Sequence, residues 1–140
     1  MRSKVVDTVH VEPGPRDVTV LTVDDQEIFL RTVRRLLAAT AGFRQVGEAT
    51  SGARAIEVAA ELDPDLVLVD VRMAEMDGIE TARGLHASIP DSVIVLISVE
   101  EIPDAARESP GVAACLRKQE LSPRTLRALW AAHGAAATRP

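Results

Sequence analysis

Three short runs of uninterrupted apolar and β-branched residues constrain this chain more than any other feature. They are VTVLTV (18–23), LVLV (66–69) and VIVLI (93–97), and each stops abruptly on a polar group: Asp24-Asp25, Asp70 and Ser98. A strand with one face in water alternates apolar with polar residues, so a strand without that alternation is buried on both faces. Two further candidates, 43–49 and 112–116, complete a set of five, the last ending at Arg117-Lys118. Between the runs, apolar residues recur at helical spacing. Residues 26–39 carry Phe29, Leu30, Val33, Leu36 and Leu37 in that pattern. Ser51 is placed to cap a helix to about Leu62, with Ala55, Ile56, Val58 and Ala59 inward, before Asp63-Pro64 breaks it. Residues 78–88 are helical again, and Ser122-Pro123 opens a last helix with Leu126, Leu129 and Trp130 as its inner stripe. Pro103 and Pro110 leave room for at most a short fourth helix. Strands alternating with helices specify an α/β fold, a doubly wound three-layer sandwich around a five-stranded parallel sheet.

A length of 140 residues suits one domain, and the 46% hydrophobic content is enough to fill its core. Only 2% of the chain is aromatic, so Val, Leu, Ile and Ala do the packing. The net charge of −5 opposes a nucleic-acid surface, and no apolar run is long enough to span a bilayer. The N-terminal residues lack a signal-peptide core, so a cytoplasmic location is expected. Residues 1–17, with Pro13, Gly14 and Pro15, read as a flexible leader, 18–133 as the domain and 134–140 as a tail. The alanine-rich ending favours a natural terminus, with no helix-turn-helix segment after residue 133. Cys115 is the only cysteine, which excludes an intramolecular disulfide or a cysteine-cluster zinc site. His10, His86 and His133 have no ligand spacing.

In open α/β sheets, ligands bind beyond the carboxyl ends of the strands, where the strand order reverses. Here those ends carry Asp24, Asp25, Asp70, Ser98 and Lys118. Clustered carboxylates raise one another's pKa, and a hard cation such as Mg²⁺ relieves that repulsion. Asp70 is then suited to act as a nucleophile on a phosphoryl group, with Lys118 and the metal balancing charge on its oxygens and Ser98 donating a hydroxyl. The bland readings are that the acid pair caps the first helix and that Lys118 is a solvated strand end; the doubled acid at a buried strand end favours the metal.

The segments VDD (23–25), DVRMAEMDGIE (70–80), VIVLIS (93–98) and RKQELSP (117–123) resemble the receiver domains of two-component response regulators, most closely those of transcription-factor regulators. The resemblance covers roughly residues 18–133. It implies a flavodoxin-like sheet of order 2-1-3-4-5 and a phosphoryl group accepted on Asp70 from a sensor histidine kinase or phosphotransfer protein. It also implies Mg²⁺ held by Asp25 directly, by Asp24 through water, by Asp70 and by the backbone carbonyl of Arg72. Ser98 matches the switch hydroxyl, Lys118 the phosphate-binding lysine, and Gly78 a loop glycine suited to a tight turn. Such a domain catalyses at most its own phosphoryl transfer and dephosphorylation.

Several positions depart from the family pattern. Ala74 replaces the loop proline, which should loosen that segment without touching the chemistry. Val99 stands where a small residue is usual and should narrow access to Asp70, while Gln119 follows Lys118 in place of the commoner proline or aspartate. Cys115 occupies the position of the aromatic switch residue; it reads as a small core residue, and the chain has no tyrosine at all. The segment between Ser98 and Lys118 is about two residues short by the family pattern. These departures leave open homodimerisation through the fourth-helix, fifth-strand and fifth-helix face. They also motivate an alternative, a pseudo-receiver acting as a protein-interaction module. Arg31, Arg34 and Arg35 read as a solvated face of the first helix, a helix that contributes to kinase docking in this family. A haloacid-dehalogenase-type phosphatase would need a second aspartate where Arg72 stands, and a nucleotide-binding Rossmann domain would need a glycine-rich loop after Val23.

Overall fold

The computed structural model describes the backbone of residues 17–138 and the side chains of 17–134; of the leader, 1–17, all but Asp17 lies outside the described residues. Five strands, β1 (Val18–Val23), β2 (Phe43–Ala49), β3 (Leu66–Asp70), β4 (Val93–Ser98) and β5 (Val112–Arg117), alternate with five helices. The helices are α1 (Glu27–Ala38), α2 (Gly52–Leu62), α3 (Gly78–Ser88), α4 (Asp104–Arg107) and α5 (Pro123–Thr138). The sheet is parallel throughout, in the order β2-β1-β3-β4-β5.

The strand period of two explains the continuous apolar runs, because successive side chains enter different cores. Leu21, Val23, Val67, Val69, Ile94 and Leu96 join Ala55, Val58, Ala82 and Leu85 of α2 and α3 on one face. Val18, Val20, Leu66, Leu68, Val93, Val95 and Ile97 join Val33 and Leu37 of α1 and Leu126 and Leu129 of α5 on the other. Each fully buried Leu, Ile or Val stabilises the fold by about 1.5–3 kcal/mol relative to exposure, so both layers are needed.

The helix ends follow local chemistry. Ser51 Oγ accepts the Arg54 N–H at 3.1 Å, and α2 stops where Asp63 takes φ 48° ahead of Pro64. Asp77 and Glu80 form a reciprocal capping box that opens α3. Ser122 Oγ accepts the Thr125 N–H at 3.1 Å while Thr125 Oγ1 accepts the Ser122 N–H at 2.9 Å, starting α5. The fourth helix has four residues, as the flanking prolines imply. At the other end, α5 continues to Thr138 instead of stopping at His133. Gly134 interrupts nothing there, since Trp130 lies so close that a Cβ on Gly134 would meet its ring. Among the described residues no helix is long and apolar enough to cross a membrane.

Candidate functional site

The strand order reverses between β1 and β3, and both strands end in acid. Asp24 follows β1 and is fully buried, Asp70 closes β3 and is nearly so, and Asp25 stands exposed beside them. One carboxylate oxygen from each lies within 4.8 Å of the others. Lys118 begins a 3-10 turn directly after β5 and reaches this cluster from the far side of the sheet. Its Nζ lies 2.7 Å from Asp24 Oδ2 and 3.7 Å from Asp70 Oδ1, with the side chain only 10% exposed.

Asp24 serves two purposes. Its Oδ1 accepts the Gln26 N–H at 2.8 Å, turning the chain just ahead of α1; the N-cap is Gln26 with no side-chain cap, so the capping reading of the acid pair does not hold. Its Oδ2 is buried without a well-directed hydrogen bond and depends on the Lys118 charge. Asp70 is pushed up to about 6, first by burial and then by the neighbouring Asp24, while Lys118 and a backbone hydrogen bond from Arg72 oppose the shift. Three acids and one ammonium leave an excess of negative charge in a largely buried setting. An oxygen-only donor set with a buried, poorly satisfied oxygen is what a hard divalent cation takes.

The loop after β3 holds the cluster closed. Gly78 N–H donates to the Val71 carbonyl at 2.8 Å, bringing the start of α3 against the end of β3. A Cβ on Gly78 would sit 2.3 Å from the Asp70 carbonyl oxygen. The glycine is therefore required by close approach, not by the tight-turn freedom expected from the sequence. Ala74 also corrects an expectation: its N–H donates to Asp25 Oδ2 at 3.2 Å, so the substitution for proline does touch the site. The Arg72 side chain turns outward to Glu100 at 3.3 Å, leaving its backbone toward Asp70.

Ser98 ends β4, buried, and its Oγ accepts the Glu100 N–H at 3.1 Å, which leaves its own hydrogen free to donate. Val99 is 57% exposed and lines an open groove with Gln26, Ile28, Phe29, Lys118 and Gln119. Cys115 does not join the cluster. It is half-buried against the core on the α2–α3 face, where burial pushes its thiol pKa up. Arg34 is not simply solvated: Nε and Nη2 donate to Glu48 at 2.8 Å each, tying α1 to β2 and holding Glu48 below the usual carboxylate range. Phe29 packs against the core as its place in the stripe implied, but its ring also lies under Lys118 with Nζ 4.0 Å from the centroid, a contact sequence reasoning missed. The available signal was its place one helical turn after Asp25.

Comparison with known proteins agrees with this arrangement. The response regulator receiver domain model matches residues 20–129. Response regulator GacA of Pseudomonas viridiflava is 41% identical over 91 residues, which is 64% of this chain and 42% of that protein. The chain thus spans less than half of the length of that relative. Among solved structures, the signal receiver domain of a NarL response regulator from Mycobacterium tuberculosis has a TM-score of 0.73 at 30% identity, covering 89% of this chain and all of that one. The response regulator domain of Thermotoga maritima CheB also has a TM-score of 0.73, at 25% identity and with the same two coverages. Together with the parallel 2-1-3-4-5 sheet and its acidic pocket, these matches place the chain in the response regulator receiver domain family of two-component systems.

Proposed function

We propose that this domain accepts a phosphoryl group on Asp70 from a phosphohistidine donor, a sensor histidine kinase or phosphotransfer protein, in a Mg²⁺-dependent reaction. The observation that carries the reading is that oxygens of three carboxylates lie within 4.8 Å of one another, two of them, Asp24 and Asp70, facing a single, nearly buried ammonium. Asp24, Asp25, Asp70 and the Arg72 carbonyl are the groups to hold the cation, which when bound neutralises charge on the transferring oxygens.

An Asp70 carboxylate oxygen attacks phosphorus, and the P–N bond of the phosphoimidazole breaks. The bonding pair stays on the imidazole nitrogen, and Asp70 becomes an acyl phosphate. Lys118 pivots from Asp24 toward a phosphoryl oxygen, and Ser98 donates its free hydroxyl hydrogen to another. Dephosphorylation by water returns Asp70 and inorganic phosphate. Ile28, 69% exposed, and Val99 flank the approach with apolar surface, which suits a protein donor better than a small metabolite.

Intact mass after incubation with acetyl phosphate and Mg²⁺ tests the reading. One phosphoryl adduct is expected on the native chain and none on Asp70→Asn. No adduct on the native chain, with acetyl phosphate or with any phosphohistidine donor, would overturn it. A second reading, an interaction module with a vestigial pocket, is favoured by the four-residue α4 and by Cys115 at the switch position. Beryllofluoride separates the two: the module should show no Mg²⁺-dependent amide shifts around Asp70.

A further inference from the structure

We infer that Phe29 is a positioning residue for Lys118, an aromatic rest on which the ammonium slides between Asp24 and the phosphorylated Asp70; this rests on the phosphoacceptor reading above. An ammonium carries three N–H donors and, when buried, needs a partner for each. Here Asp24 faces it at 2.7 Å as an ion pair without a well-directed hydrogen bond, and Asp70 at 3.7 Å lies beyond hydrogen-bond range. The Phe29 ring covers another side, with Nζ 4.0 Å from its centroid. The ring and Lys118 together line the open groove, so the ring covers part of the side of Lys118 that faces the groove.

A lysine on a four-carbon stem would otherwise turn its charge outward to water, which its 10% exposure shows it does not do. A ring face differs from a carboxylate or carbonyl in one respect that matters here. Its attraction for a cation comes from the quadrupole and persists while the cation stays over the ring face, within about 6 Å of the centroid. Lys118 can therefore leave Asp24 for a phosphoryl oxygen without giving up its support. A leucine in the same place would fill the space and exclude water but offer the charge nothing. The position is set by the chain: Phe29 lies in the first turn of α1, which begins on the acid pair itself.

The test compares Phe29→Leu with Phe29→Tyr in the full chain. Mg²⁺-dependent beryllofluoride affinity should fall about 5- to 30-fold in Phe29→Leu and return to within about twofold of native in Phe29→Tyr. In a Lys118→Ala background the Phe29→Leu penalty should vanish. The Lys118 ε-methylene protons, shifted upfield by the ring, should lose that shift in Phe29→Leu and keep it in Phe29→Tyr. Native affinity in Phe29→Leu, an equal loss in Phe29→Tyr, or a penalty that persists without Lys118 would each overturn the inference. If the native chain shows the ring shift but binds no beryllofluoride, the phosphoacceptor reading itself has failed and the positioning role falls with it.

Discussion

β3 and β5 flank the same strand, β4, with the same parallel pairing, yet they are built differently. Every residue of β3 is buried, and none of β5 is. The contrast follows from what covers them. β3 is central and has α1 and α5 on one face and α2 and α3 on the other, whereas β5 is an edge strand beside a four-residue α4. It is also lined with alanines and Cys115 in place of large side chains. The acid-bearing strand is thus held rigidly while the strand leading to Lys118 is loosely covered. Under the proposed phosphoacceptor role, Asp70 gains from a fixed position, while the loose cover of β5 leaves Lys118 room to shift.

That comparison can be broken most severely at Gly78. Gly78→Ala drives a methyl group into the backbone of Asp70 and Val71, where no rotamer can relieve it, and should cost about 2–3 kcal/mol in chemical denaturation. A loss below about 1 kcal/mol would mean that the end of β3 yields more than its burial implies.

Asp70 itself is expected to oppose folding. Its folded pKa is about 6 against a reference of 3.8, so the folded chain binds more protons across that window. Stability should therefore fall as pH rises from about 4 to 6.5, by roughly 2–3 kcal/mol from this group without a bound cation. Asp70→Asn removes this buried charge: at pH 7.5 the metal-free variant should be about 2 kcal/mol more stable than native, with a flatter profile. Equal stability of the two at pH 7.5 would show that Lys118 already compensates the buried charge. Added Mg²⁺ should narrow the gap by stabilising the native chain alone.

At the other strand the expected effects are small. Cys115→Ala removes one half-buried sulfur and should cost under about 1 kcal/mol in thermal or chemical unfolding. The phosphorylation rate at Asp70 should stay within about twofold of native. A larger change in rate would show that Cys115 couples to the site despite lacking the aromatic ring.

The fold was legible because burial on both faces leaves a one-dimensional trace. LVLV and VIVLI cannot be surface strands, and Ser51 and Ser122 announce helix starts through chemistry that acts within four residues. The site was legible for a related reason, since the polar residue ending each run must sit at the carboxyl edge of the sheet. What escaped were relations across the chain. Arg34 found Glu48 on β2, the Ala74 N–H found Asp25 some fifty residues away, and Phe29, packed against the core as expected, also faces Lys118. The helical continuation past His133 was hidden behind a glycine, whose helix penalty is offset where Trp130 needs the space.

The sequence by itself determined the five runs, their polar ends and the gathering of Asp24, Asp25, Asp70, Ser98 and Lys118 at one edge, because period and local capping are written in consecutive residues. Only the tertiary structure decided how those groups share charge. Burial raises Asp70, Lys118 leans on Asp24 and Phe29, and Gly78 is needed for its missing Cβ. Those outcomes depend on distances of a few ångströms between segments far apart in the chain, and a linear sequence does not contain them.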